Sequence, residues 1–181
     1  MLYRRATVPG ASYFFTLVTH QRAPLFANPA NVTRWHDAVS EIRRKRPFVV
    51  EAEVVLPDHL HMIWTLPDGD ADYATRIRLI KTAFTKSAAI RGARPVANAS
   101  RVNKGEREVW QRRYWEHVIR NEDDFQAHVD YIHINPAKHG LVPRPGDWPN
   151  STFRVWLDRG CYELWWGSDD MPPLPDWAGH E

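Results

Sequence analysis

Hydrophobic and polar positions near the start of the chain predict a strand followed by an amphipathic helix. Residues 13–20, YFFTLVTH, are rich in aromatic and β-branched side chains, which is typical of a strand. Asn28 and Pro29 then provide a helix cap and a first-turn proline. Apolar side chains follow at helical spacing, at Val32, Trp35, Val39 and Ile42. This helix is predicted to end near Arg46, before Pro47.

Two apolar runs come next, residues 48–56 and 59–66, with a Pro-Asp pair between them. They predict a pair of strands, with His59 and His61 at the start of the second. Hydrophobic residues then return to helical spacing, at Ile77, Ile80 and Phe84. The basic side chains of this second helix are predicted to lie on its outer surface, at Arg76, Lys81 and Lys86.

A short strand and a third helix complete the predicted elements. Residues 116–119, EHVI, predict the strand, and Asn121 precedes a helix whose first turn is acidic, as the positive end of a helix dipole favours. Its buried face is predicted to hold Phe125, Val129 and Ile132. Because a proline disfavours helical backbone in the residue before it, Asn135-Pro136 is predicted to end or kink the helix. The order of elements favours a ferredoxin-like α+β sandwich with a central antiparallel sheet and helices on its faces.

The length of the chain and its prolines predict one domain with a tail. At 181 residues the chain is long enough for one compact core and short for two. Residues 1–142 are predicted to form a single domain, within which residues 91–109 lack hydrophobic periodicity and predict a mobile basic loop. Residues 143–181 are rich in proline and tryptophan, and we expect them to form a C-terminal tail packed on the domain.

Composition narrows the class of protein. Apolar residues make up 43% and charged residues 25%, so a folded globular chain is expected. The single cysteine, Cys161, excludes an internal disulfide and fits a reducing compartment, and there is neither an 18-residue apolar run nor an export signal. We therefore expect a cytoplasmic protein. Residues 76–113 contain eleven Lys/Arg and two Glu, which favours a polyanion partner, although a solvated basic face has the same composition.

His59 and His61 are the first candidates for chemistry. Side chains alternate along a strand, so both imidazoles point to the same face and could hold one metal ion, although many strand histidines merely fill space. Tyr131 and Asn135 are four residues apart, which places them on one side of a helix. A tyrosine and an amide oxygen could therefore meet the two histidines.

Four segments carry a resemblance to a known family. They are YRR at residues 3–5, residues 46–70 with the His-Leu-His motif, residues 110–142 with YIHINPAKHG, and DWPNSTF at residues 147–153. Together they resemble the REP-associated tyrosine transposases, which belong to the HUH nucleases and transposases, named for two histidines that flank a hydrophobic residue. The basic loop at residues 91–109 is longer than is typical of that family.

The resemblance implies an HUH endonuclease fold and a role for each candidate residue. His59 and His61 would be metal ligands, Tyr131 the nucleophile and Asn135 the third ligand, with His117 on the neighbouring strand as the alternative third ligand. Imidazole and amide ligands with open positions suit Mg²⁺ or Mn²⁺. Attack by the tyrosine would give a covalent 5′-phosphotyrosine and a free 3′-hydroxyl, and later rejoining would complete DNA transposition without a nucleotide cofactor.

The implied substrate is single-stranded DNA or a REP-like hairpin with an unpaired foot. The candidates for contact with DNA are Tyr3, Arg4, Arg5, Arg78, Lys81, Lys86, Arg112 and Arg113, and Trp110 and Trp115 are candidates for base stacking. A non-catalytic hairpin-binding module and a metallonuclease that uses water are the alternative functions. The sequence favours neither a monomer nor a homodimer.

Overall fold

The computed structural model of the protein describes residues 7–87 and 109–168. Four strands form one antiparallel sheet: β1 (Ser12–Val18), β2 (Val49–Val55), β3 (His59–Thr65) and β4 (Trp115–Val118). Their order across the sheet is β2-β3-β1-β4. Strands that are consecutive in sequence therefore do not all pair, and the order is that of a ferredoxin-like sandwich, as predicted.

In the described part of the chain, four α-helices accompany the sheet: α1 (Pro29–Lys45), α2 (Tyr73–Lys86), α3 (Glu122–Lys138) and α4 (Phe153–Asp158). The predicted caps are present, because Asn28 Oδ1 accepts a hydrogen bond from the Ala30 N–H and Asn121 Oδ1 accepts one from the Asp124 N–H. Among the described residues, no helix is long and apolar enough to cross a membrane.

Different helices pack on the two faces of the sheet. On one face, Leu60, Met62 and Trp64 of β3 pack with α1 and α2 in an aromatic core. On the other, which we call the α3 face, Ile63 packs against Val129 and Ile132 of α3. Because side chains alternate along β3, its two histidines share the α3 face with Ile63.

The segment from residue 143 to residue 168 crosses the edge strand β2. The backbone of Asn150 accepts from the Val55 N–H at 2.9 Å, and the indole nitrogens of Trp148 and Trp156 donate to β2 carbonyls at 3.0 Å. These bonds satisfy backbone groups that an open sheet edge would expose. Residues 169–181 lie outside the described part of the chain, and the division into a domain and a tail after residue 142 stays a prediction.

The structure corrects two sequence expectations about helices. The prediction that Asn135-Pro136 ends or kinks α3 is wrong about the end, because the helix continues to Lys138; the Asn135 carbonyl still accepts from the His139 N–H at 3.0 Å, so a proline in the last turn interrupts little. Arg76 is not on the outer surface of α2 but only 1% exposed. Its guanidinium binds the Asp70 carboxylate at 2.6 Å and loop carbonyls, partners that replace water around the buried charge.

Candidate active site

Two buried histidines lie side by side on the α3 face of β3. The ring centroids of His59 and His61 are 5.0 Å apart. Nδ1 of His59 lies 2.6 Å from Asp58 Oδ1, and Nδ1 of His61 lies 2.9 Å from Thr16 Oγ1 on β1. Hydrogen bonds at Nδ1 fix the orientation of each ring, so Nε2 is the atom through which each would coordinate a metal ion.

Asp58 connects His59 to a guanidinium. Arg22 Nη1 lies 3.1 Å from Asp58 Oδ2. Burial raises the pKa of the Asp58 carboxyl, but hydrogen bonds from His59 and Arg22 outweigh this effect and hold the pKa below its usual range. The carboxylate is therefore ionised at neutral pH and keeps a proton on Nδ1 of His59, which is the form a metal-binding imidazole needs.

Tyr131 approaches the histidines from α3. Its ring centroid lies 5.2 Å from that of His61 and 6.1 Å from that of Phe14, and the side chain is 1% exposed. Val129 and Ile132 on the same helix are fully buried against the sheet. Packing on both sides of Tyr131 along the helix fixes its position relative to β3, as a nucleophile requires.

Asn135 lies one helical turn after Tyr131 and is fully buried. Within residues 7–87 and 109–168, neither its amide oxygen nor its amide nitrogen has a hydrogen-bond partner. A buried amide without partners costs about 1–3 kcal/mol, so folds rarely retain one. The Asn135 amide oxygen is suited to coordinate a metal ion, since a bound cation would take the place of the missing hydrogen-bond donor. The chemistry of the set His59, His61 and Asn135 therefore fits a divalent ion.

A second group of side chains on the α3 face could also hold a metal ion. His117 on β4 and Asp124 and His128 on α3 bring one ligand atom each within 4.8 Å of the others. In this structure they bond to one another: Asp124 lies 2.8 Å from His117 Nε2 and 3.1 Å from His128 Nδ1. Burial lowers the pKa of His128 to about 4, so its ring is neutral at physiological pH.

This second group is separated from the HUH histidines by Phe14. The Phe14 ring lies 5.6 Å from His61 and 4.8 Å from His128, and β1 runs between β3 and β4. His117, the alternative third ligand, therefore belongs to a neighbouring cluster with its own partner, whereas Asn135 follows Tyr131 on the helix that contacts His61.

Both the sequence and the structure of this chain are similar to those of known proteins. No protein-family model matches the chain. A REP-associated tyrosine transposase of Escherichia coli (strain K12) is 42% identical over 168 residues, which are 92% of this chain and 91% of that protein. The chain belongs to the REP-associated tyrosine transposase family.

Two further comparisons agree with membership of the REP-associated tyrosine transposases. A putative member from Haemophilus influenzae (strain ATCC 51907 / DSM 11121 / KW20 / Rd) is 38% identical over 170 residues, 93% of this chain and 95% of that protein. A solved REP-associated tyrosine transposase, described as bound to a REP hairpin, aligns with a TM-score of 0.77 at 39% identity, covering 96% of this chain and 94% of that chain.

The basic residues expected to contact DNA do not lie on the α3 face as a group. Arg78, Lys81 and Lys86 belong to α2, which packs on the opposite face of the sheet. Lys81 donates to the Gln111 carbonyl at 3.1 Å, whereas the other described members are exposed: Arg78, Lys86, Arg112 and Arg113. Tyr3, Arg4 and Arg5 lie outside the described residues, as does the loop at 91–109 apart from Val109.

The two tryptophans expected to stack on bases differ in exposure. Trp110 is 7% exposed and packs among Phe26, Trp35 and Phe84 in the aromatic core. It is therefore a core residue, and its proposed stacking role is wrong. Trp115 is 38% exposed on the α3 face, where its ring stacks on His117.

Two side chains that the sequence did not point to lie beside the candidate site of this REP-associated tyrosine transposase. Lys138 Nζ lies 3.3 Å from the Tyr131 hydroxyl, and the His139 ring lies 5.2 Å from that of His59. Burial lowers the pKa of both side chains. Lys138 could have been found from spacing, since seven residues make almost two helical turns and return to the side of Tyr131.

Proposed function

We propose that this protein cleaves and rejoins single-stranded DNA at the foot of a REP-like hairpin, with Tyr131 as the nucleophile. The observation that carries the proposal is the meeting of Tyr131 with His61, 5.2 Å between ring centroids, on a helix that brings Asn135 one turn later. Membership of the REP-associated tyrosine transposases supports it, as does the REP hairpin bound to the relative of known structure.

In the cleavage step, Oη of Tyr131 attacks the scissile phosphorus, so that an Oη–P bond forms while the P–O3′ bond breaks. The phenolic proton leaves to solvent, and the departing O3′ takes up a proton. The products are a 5′-phosphotyrosine and a free 3′-hydroxyl. Since the covalent bond retains the phosphodiester, a second 3′-hydroxyl can reverse the step and join a new strand. No nucleotide cofactor is needed.

His59, His61 and Asn135 would hold the divalent ion, Mg²⁺ or Mn²⁺. When bound, such an ion polarises the phosphate and neutralises charge that develops during displacement. The chain supplies the rest of the site: Asp58 and Thr16 orient the two imidazoles, and α3 fixes the tyrosine. A tyrosine hydroxyl, with an ordinary pKa of about 10, is a weak nucleophile, and this fixed geometry offsets part of that weakness.

Exposed cations would bind the phosphate backbone of the hairpin. Arg112 and Arg113 come directly before β4, and Arg78 and Lys86 project from α2. We extend the same role to Lys81 and to the N-terminal Tyr3, Arg4 and Arg5. Because α2 lies on the opposite face from Tyr131, a hairpin that used all of these residues would pass around the edge of the sheet at β4, which carries the arginine pair at its start.

The test is the formation of a covalent adduct with a labelled hairpin that carries a single-stranded flank, incubated with Mg²⁺ or Mn²⁺ and separated in SDS. The wild-type protein is expected to form the adduct, and Tyr131→Phe to form none while it still binds the hairpin. Tyr162→Phe is the matched control, because Tyr162 is another buried tyrosine that lies against His133 on the far side of α3.

Each other outcome points to a different function. An adduct with Tyr131→Phe would show that another residue is the nucleophile. Cut DNA without an adduct in the wild type would indicate a metallonuclease that uses water. Binding without cutting, with either ion, would indicate a hairpin-binding module. Full activity in EDTA would contradict the metal site.

A further inference from the structure

Lys138, in the last turn of α3, places its ammonium group next to the hydroxyl of Tyr131. Lys138 Nζ lies 3.3 Å from Oη of Tyr131 and 4.8 Å from the centroid of its ring. An ammonium group has only donors, so the phenol oxygen accepts this hydrogen bond. The side chain is half-buried, whereas lysines usually extend their charge into water.

The position of this contact does not suit a purely structural role. The hydrogen bond from the ammonium to the buried phenol stabilises the fold, but the partial burial of the ammonium opposes this gain, so the net contribution to folding is small. The same donor becomes more effective when the phenol oxygen carries negative charge, because two opposite charges then attract each other in a partly buried site where water screens them less. Such charge develops on Oη only during the reaction.

We propose that Lys138 holds the Tyr131 hydroxyl in position for attack and stabilises the negative charge on Oη during both cleavage and rejoining. This inference rests on the proposed function of Tyr131. In cleavage, Lys138 donates to Oη as the phenolic proton leaves to solvent and the Oη–P bond forms. In rejoining, a 3′-hydroxyl attacks the phosphorus and loses its proton to solvent, the Oη–P bond breaks, and the leaving phenolate receives the same hydrogen bond before it takes up a proton from solvent. Lys138 keeps its own proton throughout.

The test compares Lys138→Met, which keeps the aliphatic stem, with Lys138→Arg, which keeps a cationic donor. In single-turnover experiments, Lys138→Met is expected to slow both adduct formation and its reversal about 100-fold, the effect of removing one donor to a developing oxyanion. Its affinity for the hairpin, measured in EDTA, should not change. Lys138→Arg should restore most of the rate. Lys45→Met, at the exposed last residue of α1, is the matched control.

A second measurement separates charge stabilisation from a structural effect. Difluorotyrosine at position 131 carries negative charge on its oxygen more readily, so the rate difference between wild type and Lys138→Met should shrink. Lys138→Gln provides a second neutral variant if Lys138→Met folds poorly. A wild-type rate in either neutral variant, a loss confined to affinity, or an unchanged difference with difluorotyrosine would overturn the inference. If adducts still depend on Tyr131 in those cases, the proposed function stands and only the role of Lys138 fails.

Discussion

The two sides of α3 both carry buried polar groups, yet they differ in how these groups are satisfied. On the side that faces the segment covering β2, Nδ1 of His133 lies 3.1 Å from the Tyr162 hydroxyl, and Nε2 lies 2.9 Å from Thr152 Oγ1. Tyr162 in turn donates to Asp130 at 2.6 Å. On the side of Tyr131, the amide of Asn135 has no hydrogen-bond partner within the described ranges 7–87 and 109–168.

This difference distinguishes the polar groups around His133, which stabilise the fold, from the amide of Asn135, which we propose to bind a metal ion. The network around His133 joins α3 to the segment that covers β2, and it is complete without any bound group. The amide of Asn135 lowers the stability of the protein until something binds it. Burial alone therefore does not distinguish the two sides of α3, and it is the lack of partners in a polar environment beside His59 and His61 that makes Asn135 a candidate ligand.

The largest effect is expected when the Asn135 amide is removed. Asn135→Leu keeps the branching and the number of side-chain non-hydrogen atoms but has no polar atoms, so the free energy of unfolding should stay the same or rise by about 1 kcal/mol. Cleavage should fall about 100-fold, because the third metal ligand is lost. Urea unfolding and single-turnover cleavage measure the two effects. Unchanged cleavage would remove Asn135 from the site, and a large loss of stability would mean that its amide serves the fold.

His133→Leu should show the opposite behaviour. At pH 7 it should lower the free energy of unfolding by about 1–3 kcal/mol, because Thr152 and Tyr162 each lose a partner, while cleavage by the folded protein is retained. Loss of cleavage at full stability would contradict this assignment.

The stability of the protein should depend on pH through His133. Burial lowers the pKa of His133 from an ordinary 6.5 to about 3. Between these values the unfolded chain binds a proton that the folded protein does not, so this group makes the protein less stable as pH falls from 6.5 to about 3. His133→Leu lacks this effect, and its deficit relative to wild type should shrink across that range in urea titrations.

His36 provides a control of opposite sign for the pH experiment. Its ring lies 2.8 Å from Glu53, and this hydrogen bond raises the pKa of His36. The resulting stabilisation is present below pH 6.5 and is lost as pH rises through the folded-state pKa. The deficit of His36→Gln should therefore grow as pH falls towards 6.5 and be complete at that pH, whereas the deficit of His133→Leu shrinks only below pH 6.5. Equal behaviour of the two variants would contradict both assignments.

Much of the sheet and of the site could be predicted because the necessary signals are local. Strand alternation places His59 and His61 on one face, and helical spacing places Tyr131 above Asn135. The burial of Arg76 could not be predicted, since its guanidinium binds carbonyls and a carboxylate from two loops that no periodicity brings together. Trp110 was misassigned for a related reason: its neighbours Phe26 and Trp35 are some 75 residues away or more, and only tertiary packing unites them.

The smallest change in stability and cleavage is expected for the group of His117, Asp124 and His128, and a variant of this group tests where the metal ion binds. The Asp124 carboxylate accepts from His117 Nε2 at 2.8 Å, and the Asp124 backbone carbonyl accepts from His128 Nδ1 at 2.7 Å. This group therefore resembles the satisfied side of α3 more than it resembles Asn135. Asp124→Asn should therefore lower the free energy of unfolding by about 1–2 kcal/mol and leave the metal concentration for half-maximal cleavage unchanged. A titration of cleavage with Mn²⁺ measures this. If Asp124→Asn needs more Mn²⁺ for half-maximal cleavage, the catalytic ion lies between His117 and His128. The buried amide of Asn135 would then bind some other group.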